Sequence, residues 1–269
     1  MRIVVPVKQV PATDAVTMDP ETGTMVRSAA ASVINPLDLY ALEAALRLRD
    51  SSGDGDVVAL TMGPPPAEAV LREAVSLGCD RGILLSDTRF GGADTWATSR
   101  VLAAAIERLK PIDLVITGER ATDGDTAQVG PGIAAWLDIP LATYVAHVTG
   151  VDGAAATVTV ERLVEDGYQI VRLSTPALLT VVKEIAPLRL PTLDGVMRAR
   201  RAEFERWGAV DLAVPAEELG LKGSPTRVVN IATPQVTREG ETIDAGDEAG
   251  VAQAAVRIAD LLEDAGVVR

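Results

Sequence analysis

Four short apolar runs in the first half of the chain, residues 3–7, 57–61, 82–85 and 114–118, limit its fold more than any other feature. Each is almost continuously hydrophobic, so each needs cover on both faces. Helical patterns lie between them. Asn35-Pro36 predicts a helix start, with Asn as cap and Pro in the first turn, and Leu39, Leu42 and Leu46 form its apolar stripe. After Met62-Gly63 a proline-opened helix runs to about Leu77. Asp94 or Thr95 predicts the cap of a third helix bearing Trp96, Val101, Ala105 and Leu109. A polar loop after Gly118 leads to a fourth, with Val129, Ile133, Trp136 and Leu137 inward. This alternation predicts a three-layer α/β fold, a mostly parallel sheet flanked by helices, with ligands collecting at the strand ends.

The pattern changes after Tyr144. Residues 156–160 and 169–173 read as neighbouring strands across Glu165-Asp166-Gly167, and 178–182 as a further strand. Three segments follow: an α/β domain over 1–186, a proline-punctuated, charged arm over 187–246, and a helix over 247–269 opened by Asp247, with Val251, Ala255, Ile258 and Leu262 on one face. An arm so poor in core residues needs a surface to lie against, and a partner subunit is the simplest one.

Charge narrows the partners. Across 269 residues, 38 acidic and 25 basic groups leave a net charge of −13, which opposes nucleic-acid binding. The basic cluster Arg198, Arg200, Arg201 and Arg206 is either a solvated face or a patch for an acidic partner. The single cysteine, Cys79, excludes an internal disulfide framework and a cysteine-rich metal site, and reads as a small buried hydrophobe. The N-terminal run is too short for a signal peptide and no 18-residue apolar run exists, so a reducing cytoplasm is the expected setting.

Two glycine-bearing turns before helices are candidate ligand loops. Residues 117–131 leave a strand, pass Asp123, Gly124 and Asp125, and enter a helix near Thr126, followed by Ala127, Gln128 and Val129. Backbone N–H groups there, with the Thr126 hydroxyl, suit phosphate oxygens, although a plain capped helix start explains the pattern as well. The two carboxylates are expected to point away from a phosphate. The second turn, Gly91-Gly92-Ala93-Asp94-Thr95, allows close backbone approach to a ligand, or is merely tight. Neither a GxGxxG fingerprint nor a Walker A motif follows the first strand, where Lys8 is a phosphate-neutralising or an ordinary surface charge. Catalytic groups are scarce. His147 lies in an apolar stretch and reads as structural, and no metal-ligand or nucleophile motif occurs. Cofactor-like loops with few chemical side chains fit electron carriage.

Several motifs fall in the order of one family: VPVKQVP near the N-terminus, INPLD around Asn35, GADTWAT from Gly92, GERATDGDTAQVGP from Gly118, PTLDGVMRAR from Pro191 and LGLKGSPT from Leu219. Together they cover essentially the whole chain, which resembles the beta subunit of electron transfer flavoproteins. That resemblance implies an adenine-nucleotide alpha-hydrolase-like fold and an alpha-subunit partner carrying FAD. It implies an adenine–ribose pocket at Pro6, Val7, Lys8, Asp38, Thr61, Met62 and Gly63, and a phosphate loop at Asp123, Asp125, Thr126, Ala127, Gln128 and Val129. It also implies a partner-recognition loop around Leu193, flanked by Arg198 and Arg200, and a C-terminal docking helix. Ordinary members hold AMP in the beta site and shuttle electrons from acyl-CoA dehydrogenases to a quinone-linked oxidoreductase. The combination of DGDTAQVGP, GGADTWAT and LGLKGSPT is similar to the electron-bifurcating branch. There the expectation is FAD in place of AMP, taking hydride from NADH and splitting electrons between ferredoxin or flavodoxin and the alpha FAD. Gly91 to Thr95 then become candidates for contact with NADH. A non-redox protein that keeps AMP for sensing or structure is the alternative of a different class. A peripheral association with a membrane complex would come through partners.

Overall fold

The computed structural model describes residues 1–12, 32–229 and 241–267. Two compact units divide the chain, Met1–Val229 and Asn230–Arg269. The first opens with β1 (Arg2–Pro6) and a small antiparallel ribbon, β2 (Gln9–Pro11) with β3 (Ser32–Ile34). It continues through α1 (Pro36–Ser52), β4 (Asp56–Met62), α2 (Glu68–Leu77), β5 (Arg81–Leu85), α3 (Thr95–Arg108), β6 (Leu114–Gly118) and α4 (Val129–Leu137). Then come β7 (Leu141–Asp152), β8 (Thr157–Val164), β9 (Gly167–Ser174), β10 (Ala177–Val181), α5 (Leu193–Arg201), β11 (Glu205–Trp207) and the one-turn helices α6 (Ala209–Leu212) and α7 (Gly220–Gly223).

The main sheet has the order β11-β5-β4-β1-β6-β10-β7-β8-β9. Strands β11 through β7 run parallel, and β8 and β9 extend them as an antiparallel flap. The continuous apolar runs are explained by the side-chain period of two. Ile3, Val5, Val57, Ala59, Leu114 and Ile116 face one way, onto Leu42 and Leu46 of α1 and Leu71 of α2. Val4, Val58, Leu60, Ile83 and Val115 face the other, onto Val101 and Ile106 of α3 and Ile133 of α4. Each fully buried Leu, Ile or Val contributes roughly 1.5–3 kcal/mol, so the two cores dominate the stability of this unit.

Trp96 is 54% exposed in the first turn of α3, with its ring 4.8 Å from that of Trp136. Two expectations change. His147 is exposed, with Nδ1 3.3 Å from Glu161 Oε2. A bulge explains this, because Tyr144 sits at φ 56° and the β7–β8 register shifts between Val145 and His147. The segment from residue 187 to 229 belongs to the first unit, without a break in packing at 186. β11 adds to the sheet edge beside β5, and Trp207, Leu212, Val214 and Leu219 are buried in the α3-side core. Elements of three or four residues are too short to leave a period in the sequence, hence the reading as an arm. Residues 230–240 of that expected arm lie outside the described residues.

Cys79 is buried as expected, and burial pushes its thiol up to about 12. In the second unit, α8 (Glu248–Asp264) starts at Asp247, whose Oδ1 accepts the Gly250 N–H at 2.8 Å. Val251, Ala255, Ile258 and Leu262 are all exposed on it.

Candidate functional site

From β1 the chain steps outward to β4 and β5, and α3 then returns it to β6 on the other side of β1. The direction of winding therefore reverses between β1 and β6, and the loops after these strands diverge at their carboxyl ends. Such a crevice is the usual ligand position of an open parallel sheet. The loops concerned are Val7-Lys8 and residues 119–128.

Asn35 holds the two loops together. Its cap hydrogen bond is not made. The fully buried side chain instead donates from Nδ2 to Arg120 O (2.9 Å) and accepts the Thr122 N–H at Oδ1 (3.1 Å), while its own N–H reaches Lys8 O (2.8 Å). The Asn-Pro pair marks the helix start correctly but for the wrong reason, and no local sequence signal points to this buried amide as a link between the two loops. Asp38, in the first turn of α1, accepts the Lys8 N–H at 2.8 Å. Burial drives its pKa up to about 7, against lowering hydrogen bonds from Asn35, Lys8 and Gly118. Gly118 is required here: a Cβ would lie 2.6 Å from Asp38 Oδ1 and 2.7 Å from the Leu37 carbonyl carbon.

Pro6 ends β1, Val7 is buried beside it with its N–H on Leu60 O (2.8 Å), and Thr61 and Met62 end the neighbouring β4. Gly63 follows, bonded to Leu85 O at 3.0 Å. The hydroxyls of Thr61 and Thr117, at the ends of β4 and β6, are buried without a hydrogen-bond partner among the described residues. Buried hydroxyls are normally paired, so both are candidates for ligand contact.

The loop from Asp123 to Val129 has an unusual backbone. Asp125 and Ala127 take left-handed φ values of 49° and 54°, costly for non-glycine residues. Gln128 leads into α4 without a side-chain cap bond. Among the described residues, the N–H groups of residues 126 to 130 find no acceptor outside their helix. Successive free N–H groups at a strained helix start form an anion cradle. Asp123 and Asp125 pair with cations: Lys8 Nζ lies 2.6 Å from Asp123 Oδ1, and Arg120 Nη1 lies 2.7 Å from Asp125 Oδ1.

Gly91, Gly92 and Ala93 have different surroundings. Leu221 donates its N–H to Gly91 O at 3.0 Å, and its Cβ lies 3.1 Å from where a Cβ on Gly92 would stand. Asp94 caps α3 through the Ala97 N–H (3.1 Å) and also accepts from the N–H and hydroxyl of Thr226 (3.0 and 2.8 Å). Its own N–H bonds to Ser224 Oγ at 2.8 Å. Burial opposes the charge on Asp94, but these donors outweigh it and lower the pKa. The structure thus brings Pro6 to Gly63 and Asp123 to Val129 to one end of the sheet, and fastens Gly91 to Asp94 onto residues 219–226. Thr95 links the two turns, its Oγ1 3.3 Å from Gln128 Oε1.

The recognition segment shows Leu190 and Leu193 at 86% and 77% exposure. Beneath them Arg189 Nε is held 2.8 Å from the buried Glu43. Arg198 does not join a free basic patch: it donates to Val75 O and Cys79 O (3.1 and 3.0 Å) at the end of α2. Arg206 is paired with Glu68 at 2.7 Å. Among the described residues no cluster of three or more His, Cys, Asp or Glu could hold a metal ion, and no helix is long and apolar enough to cross a membrane.

The parallel sheet, its switch point between β1 and β6 and the open loop before α4 define an α/β protein of the doubly wound class. Residues 22–212 match the electron transfer flavoprotein domain. The chain is 46% identical over 243 residues to "Caffeyl-CoA reductase-Etf complex subunit CarD" of Acetobacterium woodii, covering 90% of this chain and 92% of that one. It is 48% identical over 242 residues to "Electron transfer flavoprotein subunit beta" of Thermoanaerobacterium thermosaccharolyticum, covering 90% and 91%. "Protein FixA" of Azotobacter vinelandii is 44% identical over 252 residues, covering 92% and 89%. The chain belongs to the electron transfer flavoprotein family, among its beta subunits.

Proposed function

We propose that this chain works with an alpha subunit as an electron-bifurcating flavoprotein, holding an FAD of its own at the β1–β6 crevice. NADH is the donor, and ferredoxin or flavodoxin and the alpha-subunit FAD are the acceptors. The carrying observation is the cradle at residues 126–130, where strained backbone presents several free N–H groups beside two cations. Likeness over nine-tenths of the chain to a subunit of a caffeyl-CoA reductase–Etf complex supports the bifurcating reading.

The residues fit such a cofactor. The N–H groups of Thr126 to Val129 would take phosphate oxygens, Lys8 would offset their charge, and the orphaned Thr61 and Thr117 hydroxyls are available to the nucleoside. Val7, Met62 and Gly63 would form the apolar, close-packed wall for the adenosine. When bound, the flavin supplies redox chemistry that no side chain of the site can supply. The chain's own work is to orient it, exclude water and set its electrostatics. Asp38 acts from beneath by fixing the Lys8 main chain. Contact of NADH with the turn at Gly91 to Thr95 would run along its Thr95 end, because Asp94 is already saturated.

Exposed Leu190 and Leu193 on a braced support suit a fast, weak docking contact with an acyl-CoA dehydrogenase or a quinone-linked oxidoreductase. Exposed apolar residues on α8 suit docking to the alpha subunit. A cytoplasmic site of action follows from these partners, with any membrane association made through them.

Cofactor stoichiometry tests the proposal: nucleotides released per heterodimer after co-expression with the alpha subunit, together with an NADH bleaching titration. Two FAD, no AMP and direct bleaching by NADH are expected. One FAD with one AMP, and no response to NADH, would overturn it in favour of a conventional shuttle fed by dehydrogenases.

A further inference from the structure

We infer that Glu43 is a positioning residue for partner docking: acting through Arg189, it fixes where the exposed Leu190 and Leu193 stand, and so sets the affinity of the chain for an acyl-CoA dehydrogenase. The inference rests on the docking role proposed for these leucines and deepens it, by naming what holds them in place.

Leu190 and Leu193 are exposed, so apolar packing does not fix them. Polar anchors on both sides do. Glu43, Arg47 and Asp50 are spaced i, i+4 and i+7 along α1 and share one helix face. Arg47 Nη2 donates to Pro187 O at 3.1 Å. Arg189 donates to Glu43 Oε2 from its N–H (3.2 Å) and from Nε (2.8 Å), and its two terminal nitrogens each lie 3.2 Å from Asp50 Oδ2. Glu43 Oε1 accepts from Arg47 Nε at 2.6 Å. Both oxygens of one carboxylate thus hold the chain just before Leu190. Beyond Leu193, Gly195 packs so closely on α2 that a Cβ there would collide with Ser76 O, and Arg198 donates to the carbonyls of Val75 and Cys79. Arg72 of α2 returns the contact, donating to Ala199 O and Ala202 O at the end of α5 (2.8 and 3.2 Å). The two leucines therefore sit on a short span between two fixed ends.

The choice of a carboxylate at position 43 is the second observation. Its side chain is 3% exposed. Burial opposes the charge, but hydrogen bonds from Arg189 and Arg47 outweigh it and lower the pKa. A buried ion pair adds little net stability, because desolvation offsets the attraction, and packed apolar side chains would serve stability as well. Apolar side chains would not set direction. The planar guanidinium of Arg189 bridges Glu43 and Asp50 in one geometry. A docking segment already held in one shape loses less freedom on association, which raises affinity without adding a contact.

The test uses the full chain purified with its alpha subunit. Electron transfer with an acyl-CoA dehydrogenase gives kcat and the KM for the dehydrogenase, and trypsin cleavage after Arg189 reports how firmly that side chain is held. Glu43→Gln should raise KM about tenfold at unchanged kcat. Cleavage after Arg189 should quicken by a similar factor, with cleavage after Arg200 and the flavin content unchanged. Arg47→Met should act in the same direction, severalfold. Leu190→Ala/Leu193→Ala should raise KM without faster cleavage after Arg189. If the leucine variant raises KM while Glu43→Gln leaves KM unchanged, the inference is overturned and the docking reading stands. An unchanged KM in the leucine variant overturns both. Should Glu43→Gln lose flavin or be cut throughout the chain, Arg47→Met decides, and an unchanged KM there overturns the inference.

Discussion

The turns before α3 and α4 read almost alike in sequence, each a glycine-containing polar stretch at the carboxyl side of the parallel sheet, yet they finish in opposite states. Before α3, Asp94 caps the helix and takes two further hydrogen bonds from Thr226, so the chain satisfies itself. Before α4, Gln128 makes no cap bond, two residues stand at positive φ, and the N–H groups from 126 to 130 find no acceptor outside their helix among the described residues. The same motif chemistry is satisfied internally where a neighbouring segment supplies the partners and stays open where none does. Polar groups at helix ends must be paired with something, and tertiary context decides with what.

The comparison breaks most easily at Gly118. Gly118→Ala would press a Cβ against Asp38 and the Leu37 backbone, neither of which has room to retreat. A loss of about 3 kcal/mol in urea unfolding, with loss of nucleotide binding, is expected from overpacking at this point. Retained nucleotide affinity would show that the α4 side is looser than its contacts indicate.

Asp38 gives the next effect, and its sign is fixed by burial. A carboxyl whose pKa rises from 3.8 to about 7 on folding contributes stability that is complete below pH 3.8 and disappears as pH rises through about 7. The protein should therefore lose on the order of 2 kcal/mol between about pH 5 and pH 8 that Asp38→Asn protein keeps. Parallel pH profiles of urea midpoints for the two proteins would contradict the assignment.

Capping separates the two turns directly. Asp94→Ala should cost about 1–2 kcal/mol, through the lost helix cap and the two bonds to Thr226. Gln128→Ala, at the corresponding position before α4, should cost less than about 0.5 kcal/mol because no cap bond is lost. Equal losses in thermal unfolding would erase the distinction. The smallest effect is at Ala127, where Ala127→Gly should stabilise the chain by about 0.5 kcal/mol by relieving the left-handed backbone. A destabilisation there would mean that the observed φ is not strained.

Much of the fold was legible because its signals are local. Residues 57–61 and 114–118 could only be strands buried on both faces, the helices between them carried their own apolar stripes, and α3 carried its own cap. The elements at 205–207, 209–212 and 220–223 were not legible. Each is too short to show a period, and each is held by contacts with residues a hundred or more positions away, such as Glu205 with Ile83 and Leu221 with Gly91. Much of the site was legible as a loop between a strand and a helix. Asn35 was read as a cap because Asn-Pro is a helix-start signal, and nothing local reveals that its amide spans 85 residues to Arg120.

By itself, then, the amino-acid sequence determined the three-layer parallel sheet, the positions of its loops and the family to which the chain belongs. Apolar periodicity, caps and motif order are properties of neighbouring residues, and they survive being read in one dimension. Only the tertiary structure decided which of two similar turns keeps its hydrogen-bonding groups free, that the segment after residue 186 completes the first unit, and that one buried asparagine anchors both loop cations. Those outcomes depend on which distant groups meet once the sheet is wound, and burial makes each unmet polar group costly enough to fix the answer.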